Sequence, residues 1–527
     1  MKSIFKRPVF AVILICFTLV YCTNKQQVVE KSLPRSVPEA EGVSSKAIIT
    51  FLDSAAKSTR TEFHSFMFLR HGKVIAEGWW NPYSPDLKHT LYSASKSFTA
   101  TAVSFALKEK KLSLEDKVVS FFPRYTPDTL SPFLAELKIK DMLSMATGQL
   151  REPNGMQQLD SAWAKMFLAA QWAYKPGTKY MYNSMASFML SAIVQKVTGE
   201  KVVDYLKPRL FDPLAIEGYD WETNPEGINT GGWGLRLKTE DLAKFGQLYL
   251  QKGKWNGKQL LTKNWVSDAT SLKIYQNPKM TQAKRDSSND SMQGYCYQFW
   301  RAKNNSYMAN GAFGQFILVM PDKDAIVILT AESNDMWGEL GMVWKYLYPG
   351  ISDGKLAEDK QSADDLKTRL AALALPIPEK TRNEKTEAKI SGKTFSFTDN
   401  PKKIQSLTIQ FNNDLCLLNM KTDTASFDFS FASGKWQLGE TTKHGPSIFE
   451  RAKHSLDGLP PFKIACAFTW KDEKTLELTL RYIENVHSEK IIFHFDDLNK
   501  NKIKVDLRGS TSPANRFTTI EGELKKL

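Results

Sequence analysis

The spacing of apolar residues changes along the chain and predicts where helices give way to strands. Residues 44–58 (SSKAIITFLDSAAKS) have apolar side chains at helical spacing behind a serine cap, which predicts an amphipathic helix. Residues 63–80 (FHSFMFLRHGKVIAEGWW) predict two strands joined by an HGK turn. From about Ser93 to Leu250 the pattern is mainly helical and is interrupted by loops rich in proline and glycine.

A second pair of strands is predicted after this helical region. Residues 314–333 (GQFILVMPDKDAIVILTAES) contain two apolar runs joined by the polar turn PDKD, which is typical of a hairpin. Strands at both ends with helices between them favour an α+β domain over residues 35–350. Its sheet is expected to be antiparallel and to be assembled from distant parts of the chain.

The composition changes after residue 350. Residues 351–389 are charged and contain proline, which predicts a helix followed by an interdomain linker. Residues 390–527 then show short runs of alternating apolar and polar residues, such as QSLTIQF, KIACAFTW and TLELTLRYI. Several such runs at near-regular spacing predict an all-β accessory domain, either a sandwich or a barrel.

Basic residues are spread along the whole chain. The net charge is +14 over 527 residues, and the densest basic cluster is the short stretch Lys108–Lys111. A nucleic-acid-binding protein usually concentrates its basic residues on one stripe. We therefore interpret the charge as a solvated basic surface and expect no nucleic-acid partner.

The N-terminus has the pattern of an export signal. Basic residues precede an apolar run over residues 9–21 that is short for a membrane-spanning helix, so residues 1–22 are interpreted as a signal peptide or lipoprotein leader. The stretch LVYC resembles a bacterial lipoprotein box with Cys22 as the lipidated residue, although Tyr21 departs from the small residue expected there. An uncleaved anchor is the alternative. We expect an extracytoplasmic, periplasmic protein, with a lipid on Cys22 as its membrane attachment.

Several common catalytic signatures are absent from the sequence. It contains no G-x-S-x-G, no H-E-x-x-H, no P-loop and no G-x-G-x-x-G. Only seven histidines occur, and none pairs at the spacing of metal ligands. We therefore expect neither a metal nor another cofactor.

One polar stretch stands directly before a buried helix. In LYSASKSFTA (residues 91–100), Ser93 and Lys96 are three residues apart and share one face of the first helical turn. The helix N-terminus favours developing negative charge, and a lysine desolvated by apolar neighbours can lose its proton and act as a base. The alternative is a capping serine with a lysine that reaches solvent. Ser54 and Lys57 have the same spacing in an ordinary amphipathic helix and serve as a control.

A second candidate lies where a loop enters another apolar helix. Tyr182 follows the loop KPGTKYM and can place its phenol beside Ser93 as a proton shuttle. A core aromatic residue with a hydrogen-bonded hydroxyl is the alternative for Tyr182. Trp233, in GGWGL, is a candidate wall of the substrate pocket, and buried packing is its alternative.

Four stretches occur in one order and together resemble the serine beta-lactamase-like superfamily: SASK, IKDMLSMATG, PGTKYMYNSMASFMLSAIVQKVTG and FGQFILVMPDKDAIVILTA. The branch that they resemble most is that of the class C relatives, which includes esterases, D-amino-acid peptidases and 6-aminohexanoate-oligomer hydrolases. The resemblance covers roughly residues 35–350 and implies a beta-lactamase/transpeptidase-like α+β domain.

The resemblance also implies roles for individual residues. Ser93 matches the acylated nucleophile, Lys96 its general base or proton relay, and Tyr182 the tyrosine of the family's Tyr-x-Asn element. Ser184 stands where the family has asparagine, although Asn183 is adjacent. We therefore expect Ser184 among the residues that bind substrate or the oxyanion.

The third family element is expected on an edge strand, where it matches Ala309, Asn310 and Gly311. The backbone N–H of the next residue, Ala312, would complete an oxyanion hole with that of Ser93. Many relatives carry at the position of Ala309 a lysine that helps to hold a substrate carboxylate. Its absence here favours esters or uncharged amides over beta-lactams and peptide C-termini.

Three classes of function remain open. The first is an extracytoplasmic serine hydrolase that cleaves ester or amide bonds of a small molecule or short peptide through an acyl-enzyme on Ser93. The second is a penicillin-binding-like sensor or binding lipoprotein with little turnover. The third is a structural envelope lipoprotein whose working part is the C-terminal β domain. The joint presence of Ser93, Lys96 and Tyr182 favours the hydrolase.

Overall fold

The computed structural model describes most of the chain beyond the leader. The described residues are 31–153, 162–449, 452, 455–456, 458–513 and 516–525. The leader assigned to residues 1–22, with its candidate lipidation site Cys22, lies outside the described residues. Within the described ranges, no helix combines the length and the apolar character needed to cross a membrane.

The first domain is α+β, as predicted, and is built around an antiparallel sheet. Its strands, with those of two smaller sheets, are β1 (Thr61–Arg70), β2 (Lys73–Trp79), β3 (Lys88–Thr90), β4 (Asp220–Trp221), β5 (Leu235–Lys238), β6 (Lys254–Trp255), β7 (Lys258–Gln259), β8 (Trp300–Arg301), β9 (Tyr307–Gly311), β10 (Gln315–Met320) and β11 (Ala325–Ser333). The strand order of the main sheet is β2-β1-β11-β10-β9-β8. The two predicted hairpins, β1–β2 and β10–β11, are confirmed, and β1 joins them by pairing with β11.

Helices cover both faces of this sheet. They are α1 (Ser45–Ala56), α2 (Ser95–Lys108), α3 (Pro132–Glu136), α4 (Ile139–Leu143), α5 (Trp163–Leu168), α6 (Ser184–Thr198), α7 (Val202–Leu206), α8 (Thr239–Leu250), α9 (Lys263–Thr270), α10 (Gln282–Ser287) and α11 (Met336–Met342). In β1, Phe66 and Phe68 pack in the core that contains α1 and α11, whereas Met67 and Leu69 pack in the core that contains α2, α6 and α8. Burial on both faces explains the continuous apolar runs of the central strands.

The helix α1 forms where the periodicity predicts it, but its cap differs from the prediction. The side chain of Ser44 makes no capping hydrogen bond. Instead, the Glu39 carboxylate accepts hydrogen bonds from the backbone N–H and the hydroxyl of Ser45, at 2.8 and 3.0 Å. A carboxylate at this end also interacts favourably with the helix dipole, so it replaces the serine in satisfying the first turn.

The C-terminal part forms a closed barrel, which decides between the sandwich and the barrel predicted from sequence. After α12 (Lys360–Ala371) and α13 (Glu384–Ile390), the chain forms ten described strands. They are β12 (Lys393–Phe397), β13 (Ile404–Asn412), β14 (Leu415–Thr422), β15 (Ser426–Ser433), β16 (Gln437–Thr441), β17 (Phe462–Trp470), β18 (Thr475–Tyr482), β19 (Ser488–His494), β20 (Lys502–Gly509) and β21 (Thr518–Leu524).

Closure of the barrel depends on one short parallel pairing. Strands β12 to β15 and β17 to β21 form one continuous ladder, and β15 pairs with β17 at Ala432–Ala467 to close nine of the described strands into a ring. Strand β16 pairs with β17 outside the ring. Alternate side chains of these strands fill the interior with aromatic and aliphatic groups.

The barrel shares hydrophobic cores with the first domain. Phe449 and Val486, which belong to barrel loops, pack in the core of α2 and α6. Ala465 and Ile483 pack in the core on the other face of the sheet. The barrel is therefore docked against the elements that carry Ser93.

Candidate active site

Ser93 lies at the entry to the buried helix α2. Residues Tyr92–Ala94 form a single 3₁₀ turn, and α2 begins at Ser95, two residues later than the serine. Ser93 is half-buried, whereas Lys96 is only 1% exposed. The hydroxyl is thus accessible at the end of a helix whose N-terminal dipole favours negative charge.

The Lys96 amine has three oxygen partners. Its Nζ atom lies 3.1 Å from Ser93 Oγ, 3.1 Å from Ser184 Oγ and 2.7 Å from the carbonyl oxygen of Gly232. Burial lowers the pKa of Lys96 to about 7, although the charge of Glu152 partly opposes this shift. A neutral amine has two N–H donors and one lone pair. With the donors on Gly232 and Ser184, the lone pair faces the Ser93 hydroxyl as a base requires.

Tyr182 is the third member of this group and lies two residues before the start of α6. Lys96 Nζ lies 4.9 Å from the centroid of the Tyr182 ring, and the Ser93 side chain interacts with the phenol. Burial raises the pKa of Tyr182 above its ordinary value, and the interaction with Ser93 only partly offsets this. The phenol therefore stays protonated at neutral pH, so that it can deliver a proton to a leaving group.

Ser184 occupies the place of the family's asparagine and contacts the base directly. Its hydroxyl accepts from Lys96, whereas the adjacent Asn183 is turned away into the structure. Asn183 caps α6, with its side-chain oxygen accepting from the N–H of Ala186 at 3.1 Å, and it donates to Gln149 at 2.5 Å. Ser184 therefore supports the lysine, and Asn183 fixes the start of α6.

Glu152 is part of the site and was not predicted from sequence. Its carboxylate accepts from the backbone N–H of Ser184 at 2.5 Å, and its negative charge interacts with Lys96. Burial raises the pKa of Glu152, while the bond from Ser184 and the charge of Lys96 act in the opposite direction. No periodicity marks this residue, because it lies in a loop. The only sequence signal is a carboxylate shortly after the SMATG stretch.

The end of strand β9 lies against the turn that carries Ser93. Strand β8 pairs with β9 only at Tyr307 and Met308, so β8 leaves the following residues of this edge uncovered. A Cβ atom on Gly311 would come within 2.0 Å of the carbonyl oxygen of Leu91, so the close approach of the two segments requires glycine. The Nδ2 atom of Asn310 is buried and has no hydrogen-bond partner among the described residues.

Ala309 does not provide room for a charged side chain. It is 1% exposed and packs in the core on the α2 side of the sheet. Replacing it with lysine would bury a cation in a filled space, so packing favours alanine at this position. Ala312, one residue beyond the strand, is partly buried against the same core.

Trp233 is a packing residue on one side and a cavity wall on the other. It is 1% exposed, and its ring lies between Trp163, at 5.5 Å, and Phe449 of the barrel, at 4.3 Å between ring centroids. It also lines a cavity of about 120 Å³ between the two domains, together with Tyr92 and Phe462. Trp233 directly follows Gly232, whose carbonyl oxygen accepts from Lys96.

The control pair does not form a comparable site. The hydroxyl of Ser54 lies 3.4 Å from the Met342 sulfur, and Lys57 is exposed at the end of α1. His89, four residues before Ser93, has its own partners: its ring nitrogens lie 2.9 Å from His64 and 3.0 Å from the carbonyl oxygen of Thr90. Burial rather than spacing distinguishes the Ser93–Lys96 pair.

Comparisons with known proteins match the part of the chain that holds this site. A family model described as beta-lactamase matches residues 55–340. The 6-aminohexanoate-dimer hydrolase of Paenarthrobacter ureafaciens is 23% identical over 297 residues, which are 53% of this chain and 74% of that protein. Protein flp of Staphylococcus aureus (strain NCTC 8325 / PS 47) is 23% identical over 167 residues, which are 28% of this chain and 33% of that protein.

Solved structures resemble the chain at low sequence identity. The octameric penicillin-binding protein homologue from Pyrococcus abyssi is 16% identical, with a TM-score of 0.47 and coverage of 90% of this chain and 99% of that chain. A family VIII carboxylesterase is 15% identical, with a TM-score of 0.46 and coverage of 60% of this chain and 99% of that chain.

Proposed function

The chain belongs to the beta-lactamase family and is a serine hydrolase, and we propose that it cleaves ester or amide bonds through an acyl-enzyme on Ser93. One observation carries the proposal: the amine of Lys96 lies 3.1 Å from Ser93 Oγ in a site where burial lowers its pKa to about 7. An amine with this pKa is neutral often enough at physiological pH to accept the proton of the hydroxyl.

Acylation follows from these contacts. The Ser93 oxygen attacks the carbonyl carbon of the substrate while its proton passes to Lys96. The tetrahedral oxyanion is held by the backbone N–H groups of Ser93 and Ala312. Its collapse breaks the bond to the alcohol or amine, which leaves with a proton from Tyr182, and Tyr182 regains a proton from the Lys96 ammonium.

Deacylation repeats the same proton transfers with water. Lys96, neutral again, accepts a proton from the water that attacks the acyl carbonyl. Collapse of the second tetrahedral intermediate breaks the bond to Ser93 Oγ and releases the carboxylic acid, while the Lys96 ammonium returns the proton to Ser93 Oγ through Tyr182. Substrate is therefore split into an acid and an alcohol or amine, and the enzyme is regenerated.

The catalytic roles can be tested with a small p-nitrophenyl ester and a fluorophosphonate label. Ser93→Ala should abolish hydrolysis and labelling, and Lys96→Ala or Tyr182→Phe should each lower the rate by roughly two to four orders of magnitude. Ser54→Ala is the matched control, since Ser54 has the same spacing to a lysine but contacts Met342. Loss of activity in Ser54→Ala with retention in Ser93→Ala would overturn the assignment.

The same experiment separates turnover from sensing. A penicillin-binding-like sensor would acylate Ser93 once and release its acyl group slowly, which gives a burst of p-nitrophenol equal to the enzyme concentration and little more. A hydrolase gives continued release after any burst. We expect continued release.

We also propose that the protein acts outside the cytoplasm. Support comes from the basic residues and the apolar run of residues 9–21, with Cys22 at the end of the stretch LVYC. Cys22→Ser should move a lipoprotein from the membrane fraction to the soluble fraction, and mass spectrometry should find lipid on Cys22 only in the native protein. Unchanged fractionation without a lipid mass would indicate a plain signal peptide or an uncleaved anchor.

A further inference from the structure

One buried histidine of the barrel touches both segments that carry the proposed oxyanion donors. His487 stands directly before β19, is fully buried, and lies far from Ser93 in sequence. Its ring contacts Tyr92, the residue before Ser93, and Phe313, the residue after Ala312. The mechanism proposed above assigns no role to His487.

The contact with Tyr92 is a hydrogen bond. Tyr92 Oη lies 2.6 Å from His487 Nε2, and His487 Nδ1 lies 2.7 Å from a carboxylate oxygen of Glu332 on β11. Since the carboxylate can only accept, Nδ1–H donates to Glu332 and Nε2 accepts from the tyrosine hydroxyl. Burial raises the pKa of Tyr92, which keeps its hydroxyl protonated as a donor. Ser510 Oγ lies 3.3 Å from Nδ1 on the same side as Glu332.

The contact with Phe313 is a perpendicular packing of rings. The centroids of Phe313 and His487 are 4.7 Å apart with an interplanar angle of 89°, and the rings of Tyr92 and Phe313 are 5.7 Å apart. The three rings therefore form one cluster around His487. Through this cluster, the chain before Ser93 and the chain after Ala312 are tied to the barrel.

Both tied residues have backbone conformations that need support. Tyr92 has a φ of 46° and Phe313 a φ of 64°, in the left-handed region that is costly for residues other than glycine. Such conformations persist only where the surrounding structure fixes them. The N–H of Ser93 belongs to the peptide that follows Tyr92, so its direction depends on the backbone of Tyr92, whereas Phe313 fixes the chain one residue after Ala312.

We propose that His487 is a positioning residue of the catalytic site: it holds the N–H groups of Ser93 and Ala312 at the separation that an oxyanion hole requires. The inference rests on the proposed function, because it assigns a role to these N–H groups. It makes the barrel a working part of the catalytic site, since the residue that fixes the geometry comes from the second domain.

Two variants remove the hydrogen bond from opposite sides of the interface. His487→Gln changes the barrel partner, and Tyr92→Phe removes only the hydroxyl. Each should lower kcat for the p-nitrophenyl ester about ten- to a hundredfold with little change in KM, because displaced oxyanion donors affect the transition state more than the bound substrate. The double variant should lose no more than the larger single loss, since both changes break one contact. His494→Gln is the control, because His494 pairs with Asp506 at 2.9 Å elsewhere on the barrel.

A second readout separates positioning from general stability. An aryl boronic acid forms a tetrahedral adduct with an active-site serine, so its affinity should fall by the same factor as kcat/KM in both variants. Melting temperatures are measured alongside. A loss of stability with unchanged kcat and unchanged boronate affinity in the folded variants would overturn the proposal.

The remaining outcomes are also distinct. If fluorophosphonate fails to label Ser93 in the native protein, the proposed function fails. If labelling occurs at Ser93 but Tyr92→Phe acylates at the native rate, the proposed function stands and the role of His487 is wrong. If His487→Gln does not fold, Tyr92→Phe carries the test, because it leaves the barrel unchanged.

Discussion

Lys96 transfers the proton in the proposed reaction, so its ionisation sets the pH dependence of catalysis. Burial lowers the pKa of Lys96 to about 7, and the negative charge of Glu152 acts in the opposite direction. Only the neutral amine accepts the Ser93 proton, so kcat/KM should rise with pH and level off above the pKa of Lys96. With an uncharged ester, we expect the midpoint of the profile near pH 7.

Glu152→Gln tests the coupling between the carboxylate and the amine. The substitution removes a negative charge that raises the pKa of Lys96, so the midpoint should move to lower pH. Glutamine keeps an oxygen for the N–H of Ser184, which limits the structural change. Glu115→Gln is the control, because Glu115 is an exposed residue paired with Lys138 and Lys140. An unchanged or higher midpoint in Glu152→Gln contradicts the coupling.

Two basic residues that could bind a substrate carboxylate, Arg236 and Lys179, have other partners. Arg236 makes two hydrogen bonds to Asp220 at 2.6 and 2.7 Å, the Lys179 amine lies 3.9 Å from the centroid of the Tyr174 ring, and Ala309 replaces the family's lysine. A charge-assisted hydrogen bond to a substrate carboxylate is typically about 1.5–3 kcal/mol, or about ten- to a hundredfold in affinity. We therefore expect a higher kcat/KM for short uncharged esters than for nitrocefin.

The comparison has an internal control. A nitrocefin ester with a blocked carboxylate should be turned over at least as well as nitrocefin, because the site gains nothing from the free carboxylate. Efficient turnover of nitrocefin itself, with a loss on blocking, would mean that a cation of the site binds the carboxylate after all.

At the scale of elements, the turn between β9 and β10 depends on a glycine. Gly314 has a φ of 93°, and a Cβ atom on it would come within 2.0 Å of a carboxyl oxygen of Glu339. Glu339 is fully buried on α11, and burial raises its pKa well above the ordinary range, so a Cβ atom at position 314 would press on a confined side chain. Gly314→Ala should therefore destabilise the protein by more than about 1 kcal/mol and lower kcat, measured by urea unfolding and ester hydrolysis.

Gly341, on the same helix as Glu339, provides the control for this substitution. It lies inside α11, and no atom lies within 4 Å of a Cβ built on it. Gly341→Ala should leave stability unchanged or raise it, because alanine has the higher helix propensity. Equal effects of the two substitutions would show that the left-handed backbone conformation is not the reason that position 314 requires glycine.

Elements with local partners could be predicted from the sequence. The hairpin of residues 314–333 and the helix α1 follow from the apolar period and the turn residues, because their hydrogen bonds join neighbours in the chain. The place of Ser93 at a buried helix entry follows for the same reason. Glu152 could not be predicted, since its role depends on Lys96 and Ser184, which no local pattern links to it.

At the scale of the whole molecule, the sequence correctly predicts a second, all-β domain but not its relation to the site. The alternating runs predict its strands. They do not predict which barrel loops pack against the first domain, because the inward-facing residues of all the strands are apolar alike. In the structure, Phe449 stacks on Trp233 and His487 reaches Tyr92. These contacts join distant parts of the chain and arise only when both domains are folded.

The interface also contains an ion pair and a backbone hydrogen bond that join the two domains. Arg481 of β18 pairs with both carboxylate oxygens of Glu62 on β1, and the backbone N–H of Thr90 donates to the carbonyl oxygen of Glu484 at 3.2 Å. Burial would raise the pKa of Glu62, but its bonds with His64 and Arg481 lower it below the ordinary value. Unfolding the barrel alone would leave Glu62 without its guanidinium and expose the apolar surface under Phe449.

We therefore expect the two domains to unfold together. Urea curves followed by far-ultraviolet circular dichroism and by loss of ester hydrolysis should coincide in a single transition. Arg481→Leu should shift both curves together by about 3 kcal/mol, because it leaves one partner of a largely buried ion pair alone. Lys463→Met, which breaks the exposed pair with Glu440 on the same barrel, should cost less than about 1 kcal/mol. If hydrolysis survived a first transition in which barrel structure was lost, the barrel would be a separable domain and its contacts with the catalytic turn would be dispensable.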